Sequence, residues 1–184
     1  MQDTGAKAHP TRQPWLLVSC LILVALSTVT VASNEGTPMA VSLGDKRPHF
    51  ELPDLQDQMR AINEWDGQII VLNFWATWCP PCVHEIPLFG ELQQQFAEHN
   101  VQFLGVATDT KANIQRFTKK HPLAYPTLYG QNAATSLAKR YGNRFGSLPY
   151  TVIIGRQGSI LHMHNGELDR VQATALLENA IAQP

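Results

Sequence analysis

The stretch Ile69-Ile70-Val71-Leu72-Asn73-Phe74-Trp75-Ala76-Thr77-Trp78-Cys79-Pro80-Pro81-Cys82 decides the fold of this chain. Its first half is a continuous apolar run through Trp75, the pattern of a strand buried on both faces. Its second half changes period. From Pro80 to His99 the apolar residues Val83, Ile86, Phe89, Leu92 and Phe96 recur at helical spacing. Pro80 and Pro81 suit the first turn of that helix, where backbone N–H groups have no helical acceptor. Cys79 and Cys82 therefore fall where a strand hands over to a helix. A step of three places them on one helical face within disulfide range. Cys79 stands at the helix N-terminus, where the dipole and free N–H groups favour a thiolate. Trp78 precedes it and can shield one side.

Outward from this junction the chain alternates strand and helix. Val101 to Ala107 reads as a second buried strand and Lys111 to Lys120 as a helix stopped before Pro122. Tyr125 to Tyr129 reads as a short strand, and Ala133 to Tyr141 as a helix ended by Gly142. Tyr150 to Ile154 and Ile160 to His164 are strands joined across Gly155-Arg156-Gln157-Gly158, a hairpin signal. Asp169 caps a last helix with Val171, Ala175, Leu176 and Ile181 as its apolar stripe. The expected class is α/β, a central mixed sheet with helices on both faces. Lys119-Lys120 and Lys139-Arg140 sit near helix ends and complement the dipole.

Upstream, residues 15–32 form an uncharged apolar run behind Lys7, His9 and Arg12. Such a run is a membrane anchor or a secretory signal, and its length lies at the short limit for a span. Cleavage after Ala32 would put Thr30 at the −3 position, a poor fit, which favours an uncleaved membrane helix. Leu17-Val18-Ser19-Cys20 has the look of a lipidation box, but most of the apolar run follows Cys20 rather than preceding it. The expected organisation is a cytoplasmic segment 1–14, the anchor or signal 15–32, a Gly/Ser/Asn/Pro linker 33–45 and a globular domain 46–184. The basic flank holds the N-terminus in the cytoplasm and puts the domain outside.

The whole chain has 184 residues, 44% hydrophobic and 16% charged, with a formal net charge of −1. That balance is not the basic stripe of a nucleic-acid binder. Three cysteines are too few for a disulfide scaffold. The Cys79–Cys82 pair has four readings. A zinc site needs four ligands, and only His84, His162 and His164 could complete it. Haem attachment needs His directly after the second cysteine, where Val83 stands. A static disulfide over three residues closes too small a loop to stabilise much. A dithiol that cycles with its disulfide fits an oxidising compartment.

Phe74 to Cys82 resembles the active-site segment of the thioredoxin superfamily, and in particular the membrane-anchored TlpA/ResA-like disulfide reductases. Glu85-Ile86-Pro87 resembles the CxxCxxEIP continuation of that family. Gly44-x-x-x-Pro48-x-Phe50-x-Leu52 is similar to its entry strand, and Gly105-Val106-Ala107-Thr108-Asp109 to its middle strand. Gly146-Ser147-Leu148-Pro149 resembles its cis-proline loop. The likeness covers residues 44–184 and implies a thioredoxin-like fold and a protein-disulfide reductase with Cys79 and Cys82 as its redox-active pair. Cys79 is expected to be the exposed nucleophile and Cys82 the buried resolver. Leu148 is expected to present its backbone to an extended substrate, beside a cis Pro149.

Two departures from thioredoxin proper matter. Asn73 stands where thioredoxin has a buried Asp, and an amide cannot take a proton from Cys82. Glu85, one helical turn after Cys82, is the substitute, with a burial-raised pKa. The Pro-Pro centre removes two N–H donors near the Cys79 thiolate, which makes the pair a weaker oxidant and a better reductant. Pro87 should kink the helix. His84 reads as surface.

The family implies partners of two kinds, protein substrates bearing disulfides and a membrane thiol electron donor. It also implies a single-pass protein of a bacterial cytoplasmic membrane with its domain in the periplasm or outside the cell, and cytochrome c maturation as one setting. No cofactor, metal or nucleic acid is expected. Competing classes are a copper-handling module on the same fold, whose spacing is CxxxC; a dithiol oxidase; and an adhesion or scaffold domain. A peroxidase of the peroxiredoxin type needs Pro and Thr or Ser where Leu72 and Ala76 stand.

Overall fold

The computed structural model describes residues 40–183. The expected membrane segment at residues 15–32, Cys20 and most of the expected linker lie outside these residues. Among the described residues no helix is long and apolar enough to cross a membrane.

The chain enters through a small antiparallel hairpin, β1 (Glu51–Pro53) and β2 (Met59–Ala61). It then forms β3 (Ile69–Trp75), α1 (Pro80–Gln95), β4 (Val101–Ala107), α2 (Lys111–Thr118) and β5 (Thr127–Tyr129). It closes with α3 (Gln131–Arg140), β6 (Tyr150–Ile154), β7 (Ile160–Asn165) and α4 (Arg170–Ile181). The main sheet has the order β5-β4-β3-β6-β7. β3, β4 and β5 run parallel, while β6 and β7 are antiparallel. This is the mixed sheet that the alternation of strand and helix predicts.

β3 lies at the centre, and all seven of its residues are buried. Its alternation sorts them between two cores. Ile70, Leu72 and Phe74 pack with Leu137 and Tyr141 on one face. Ile69 and Val71 pack with Phe89 and Leu92 of α1 and Leu177 of α4 on the other. Asn73 and Trp75 share that second face.

Two differences from the sequence reading, at the end of α1 and on the face of α4, have clear physical causes. α1 stops at Gln95, and His99 belongs to a separate 3-10 turn that Asn100 ends at a φ of 59°. Pro87 lies inside α1 and is exposed. The buried face of α4 is Ala173, Leu177 and Ala180, with Leu176 and Ile181 at its margin, while Val171 is 78% exposed. The two stripes differ by a rotation of the helix that only its packing partners set. The Asp169 cap is present, its side chain accepting from the Gln172 N–H.

Among the described residues, contacts with the domain begin ahead of Lys46. Val41 N–H donates to Arg140 O, and Gly44 N–H and Asp45 O pair with Ile160. The end of the expected linker is thus stitched to β7 and α3.

Candidate functional site

The strand-to-helix handover sets the site. β3 ends at Trp75, Thr108 N–H reaches back to Trp75 O, and Cys79 N–H donates to Ala76 O in a tight turn. Asp109, 3% exposed, pins this turn from the end of β4. Its carboxylate accepts from Thr77 Oγ1, the Thr77 and Thr110 N–H groups and Asn113 Nδ2. Burial pushes its pKa up, but those hydrogen bonds prevail and hold it below the usual carboxylate value. In the sequence Asp109 stands out only as the end of a strand; an acid directly after a buried strand and before a Thr helix cap is the available signal.

Cys79 is the N-cap of α1 and is joined to Cys82 by a disulfide, with the Cα atoms 5.3 Å apart. The Cys82 N–H donates to Cys79 Sγ at 3.3 Å. Val83 N–H is turned to Cys79 O, and Pro80 and Pro81 carry no N–H. Among the described residues one hydrogen bond therefore reaches Cys79 Sγ. Cys79 is 5% exposed and Cys82 fully buried. Cys79 is less exposed than its helix-end position predicts, because both cysteines pack into one cluster with Trp75, Ala76, Ile86, Ala107 and Ile114. Trp78, expected to shield one side of Cys79, stands outside the packed cluster. It is 67% exposed, so most of its indole meets solvent.

Leu148 and Pro149 come to the same place. The Leu148–Pro149 peptide is cis, Pro149 is buried, and the half-buried Leu148 side chain packs against the cysteine cluster. Asn143, 1% exposed, organises this loop. Its amide donates to Ser147 O and accepts from the Ser147 N–H. Gly166 N–H binds Pro149 O from the far side. Asn143 was not singled out from the sequence; its place just after the helix-ending Gly142 was the only hint.

Glu85 is 1% exposed and lies on the same buried face of α1 as Cys82. Its Oε1 accepts from Asn73 Nδ2 at 2.8 Å and its Oε2 from Leu168 N–H at 3.2 Å. Burial raises its pKa to about 8, helped by the Glu167 charge and opposed by those two hydrogen bonds. A carboxyl poised there exchanges protons near neutral pH. Asn73 thus holds the carboxyl in place, and its amide also donates to Thr151 Oγ1 on β6. The sequence reading treated Asn73 only as a missing acid; a lone amide inside an apolar strand needs a buried partner, which was the signal. His84 stays at the surface, its Nδ1 paired with Glu167 Oε1. Among the described residues no cluster of His, Cys, Asp and Glu could hold a metal ion.

A family model described as AhpC/TSA matches residues 43–163. The thiol-disulfide oxidoreductase ResA of Geobacillus thermodenitrificans is 28% identical over 164 residues, covering 89% of this chain and 92% of that protein. ResA of Oceanobacillus iheyensis is 29% identical over 160 residues, covering 83% and 81%. A thioredoxin-family thiol:disulfide interchange protein from Chlorobium tepidum superposes with a TM-score of 0.68 at 21% identity, covering 78% of this chain and all of that one. That last likeness shows a thioredoxin-like fold.

Proposed function

We propose, for a chain that belongs to the AhpC/TSA family of thioredoxin-like proteins and within it resembles the TlpA/ResA-like proteins, the function of a thiol–disulfide oxidoreductase that reduces disulfides of protein substrates. The observation that carries this reading is the Cys79–Cys82 disulfide opening α1 with the Glu85 carboxyl buried one turn further on. In the reduced form the Cys79 thiolate attacks a substrate disulfide and is left in a mixed disulfide, while one substrate sulfur leaves as a thiol. Cys82 then gives its proton to Glu85 and attacks Cys79 Sγ. The intramolecular disulfide forms and the second substrate sulfur leaves, so two electrons have passed to the substrate.

The reducing direction follows from the poorly solvated Cys79 sulfur. A thiolate with one backbone donor is less stabilised than one facing a full turn of N–H groups, so the dithiol gives up its electrons more readily. Leu148 and Pro149 border the cysteine cluster, where an extended substrate segment would lie. Re-reduction by a membrane thiol donor, anchoring through residues 15–32 in a bacterial cytoplasmic membrane, an extracytoplasmic domain and service to cytochrome c maturation complete the reading. Peroxidase chemistry is disfavoured despite the family, because Leu72 and Ala76 stand where its pattern needs Pro and a hydroxyl.

The test is insulin reduction with trapping. Cys79→Ser should abolish reduction, and Cys82→Ser should accumulate mixed disulfides. Traps formed only by Cys79→Ser would reverse the two roles. Thiol trapping in cells should find the pair mostly reduced; a mostly oxidised pair would instead make the protein a dithiol oxidase.

A further inference from the structure

Three consecutive residues between β7 and α4 bind the cis-proline segment and α1 at once. Gly166 N–H donates to Pro149 O at 2.9 Å, from a turn at a φ of 95° that a side chain would resist. The Glu167 carboxylate accepts from His84 Nδ1 on α1, and Glu167 O accepts from His164 Nε2 at 3.3 Å. Leu168 N–H donates to Glu85 Oε2 at 3.2 Å. Both ends of the segment are fastened as well. Asn165 Oδ1 accepts from Ser147 Oγ at 2.9 Å, in the loop before the cis peptide. The Leu168 side chain is 3% exposed and packs in the core with Phe89 and Leu177. The segment runs as a strap from Pro149 to the helix that carries Cys82 and Glu85.

Two of these contacts act on Glu85 in opposite senses. A backbone N–H supports the charged carboxyl and weakens its hold on a proton. A second carboxylate nearby opposes the charge and strengthens that hold. Both influences reach Glu85, beneath the larger effect of burial. The other groups that face it are the Asn73 amide on β3, the Tyr125 phenol ahead of β5, held neutral by burial, and Cys82 one turn earlier on α1. Among the described residues Glu167 is therefore the charged group that acts on Glu85. His84 fixes where that charge stands. An exposed pair such as His84 and Glu167 adds little to stability, but its place beside Glu85 gives it another consequence.

We propose that Gly166-Glu167-Leu168 is a strap that sets the proton affinity of Glu85: Leu168 N–H steadies the charged carboxyl, the Glu167 charge opposes it, and His84 holds Glu167 to α1. The proposal rests on the reading of Glu85 as the proton acceptor of Cys82. An acceptor that binds too weakly leaves the proton on the thiol. One that binds too tightly is already protonated when the mixed disulfide forms. Re-reduction of the pair hands the same proton back to Cys82, so one setting serves both directions. The strap residues act through Glu85, as positioning residues.

The full-length chain tests this with two readouts, the pH midpoint of the Glu85 carboxyl carbon resonance in the oxidised form and the pH profile of mixed-disulfide resolution. Glu167→Gln keeps an acceptor for His84 but removes the charge. It should lower both midpoints by about half a pH unit, the reach of one partly exposed charge. His84→Ala leaves the Glu167 charge without its partner and loosens the strap, and should raise both midpoints by about as much. Glu91→Gln removes an exposed acid further along α1 and should leave both in place. Unchanged midpoints in Glu167→Gln and His84→Ala, shifts of the same sign in the two, or an equal shift in Glu91→Gln would overturn the role of the strap. The resonance is read without turnover, so it judges the strap separately from the reaction. Normal resolution in Glu85→Gln would overturn the reading of Glu85 as acceptor, while shifted resonance midpoints beside it would still support the hold of the strap on the carboxyl.

Discussion

At the residue scale the site depends on two polar side chains placed where the sequence is otherwise apolar. Asn73 sits inside β3 and Glu85 on the buried face of α1, and each supplies what the other needs. Glu85→Gln keeps the size of the side chain, and the Asn73 amide can turn to match it, so the fold should survive. We expect resolution of mixed disulfides to slow by about 10²-fold or less, with the titration near pH 8 removed from the rate profile. Rapid-quench trapping across pH 5–9 measures this. Asp109 makes a second residue-scale case, since four hydrogen bonds from neighbouring groups converge on its carboxylate. Asp109→Ala leaves those donors without their acceptor and should cost about 1–3 kcal/mol in urea unfolding, while loosening the turn before Cys79. That Glu85 shares the buried face of α1 with Cys82 was legible from their spacing. That Asn73 and Leu168 N–H hold it was not, because those partners lie on a strand and a loop that meet α1 only after folding.

At the scale of elements, period and punctuation carried most of the assignment. β3, β4 and β6 have the ends that their apolar runs predict, since a strand in the middle of a sheet needs apolar residues along its whole length. β2 carried no such signal. Met59-Arg60-Ala61 is half-exposed at an edge, and pairing with β1 rather than burial defines it. α4 shows the same limit from another side. Its cap was readable at Asp169, but its rotation was not, because Val171, Ala175, Leu176, Leu177 and Ile181 offer more apolar positions than one face can bury. The contacts with Val71 and Phe89 select Leu177. Leu177→Ala should therefore cost about 2–5 kcal/mol, and Val171→Ala within about 0.5 kcal/mol of nothing, both read from chemical denaturation.

At the scale of the whole molecule the buried carboxyl links stability to pH. The folded-state pKa of Glu85, about 8, lies above its ordinary value of 4.5, so in that window the folded chain holds a proton that the unfolded chain releases. Its contribution is fully present below about pH 4.5 and is lost as pH rises through about 8, a loss on the order of a few kcal/mol. Asp109 works in the opposite sense and at lower pH: its depressed pKa contributes stability above its ordinary value of 3.8 and loses it as pH falls. The stability of the wild type should therefore fall as pH rises from 5 to 8, read from chemical denaturation, and Glu85→Gln should flatten that slope. An equal slope in both would place the raised pKa elsewhere. The sequence by itself determined the strand–helix junction, the pairing range of Cys79 and Cys82 and the α/β class, because these rest on local period, proline chemistry and short spacing. The tertiary structure alone decided which polar groups surround Glu85, how far the sulfur of Cys79 is covered, and that Thr151, Asn73, Gly105 and Thr127 form one row across four strands. Those relations join residues far apart in the chain through sheet register, and register is settled only when all the strands pair and bury their faces together.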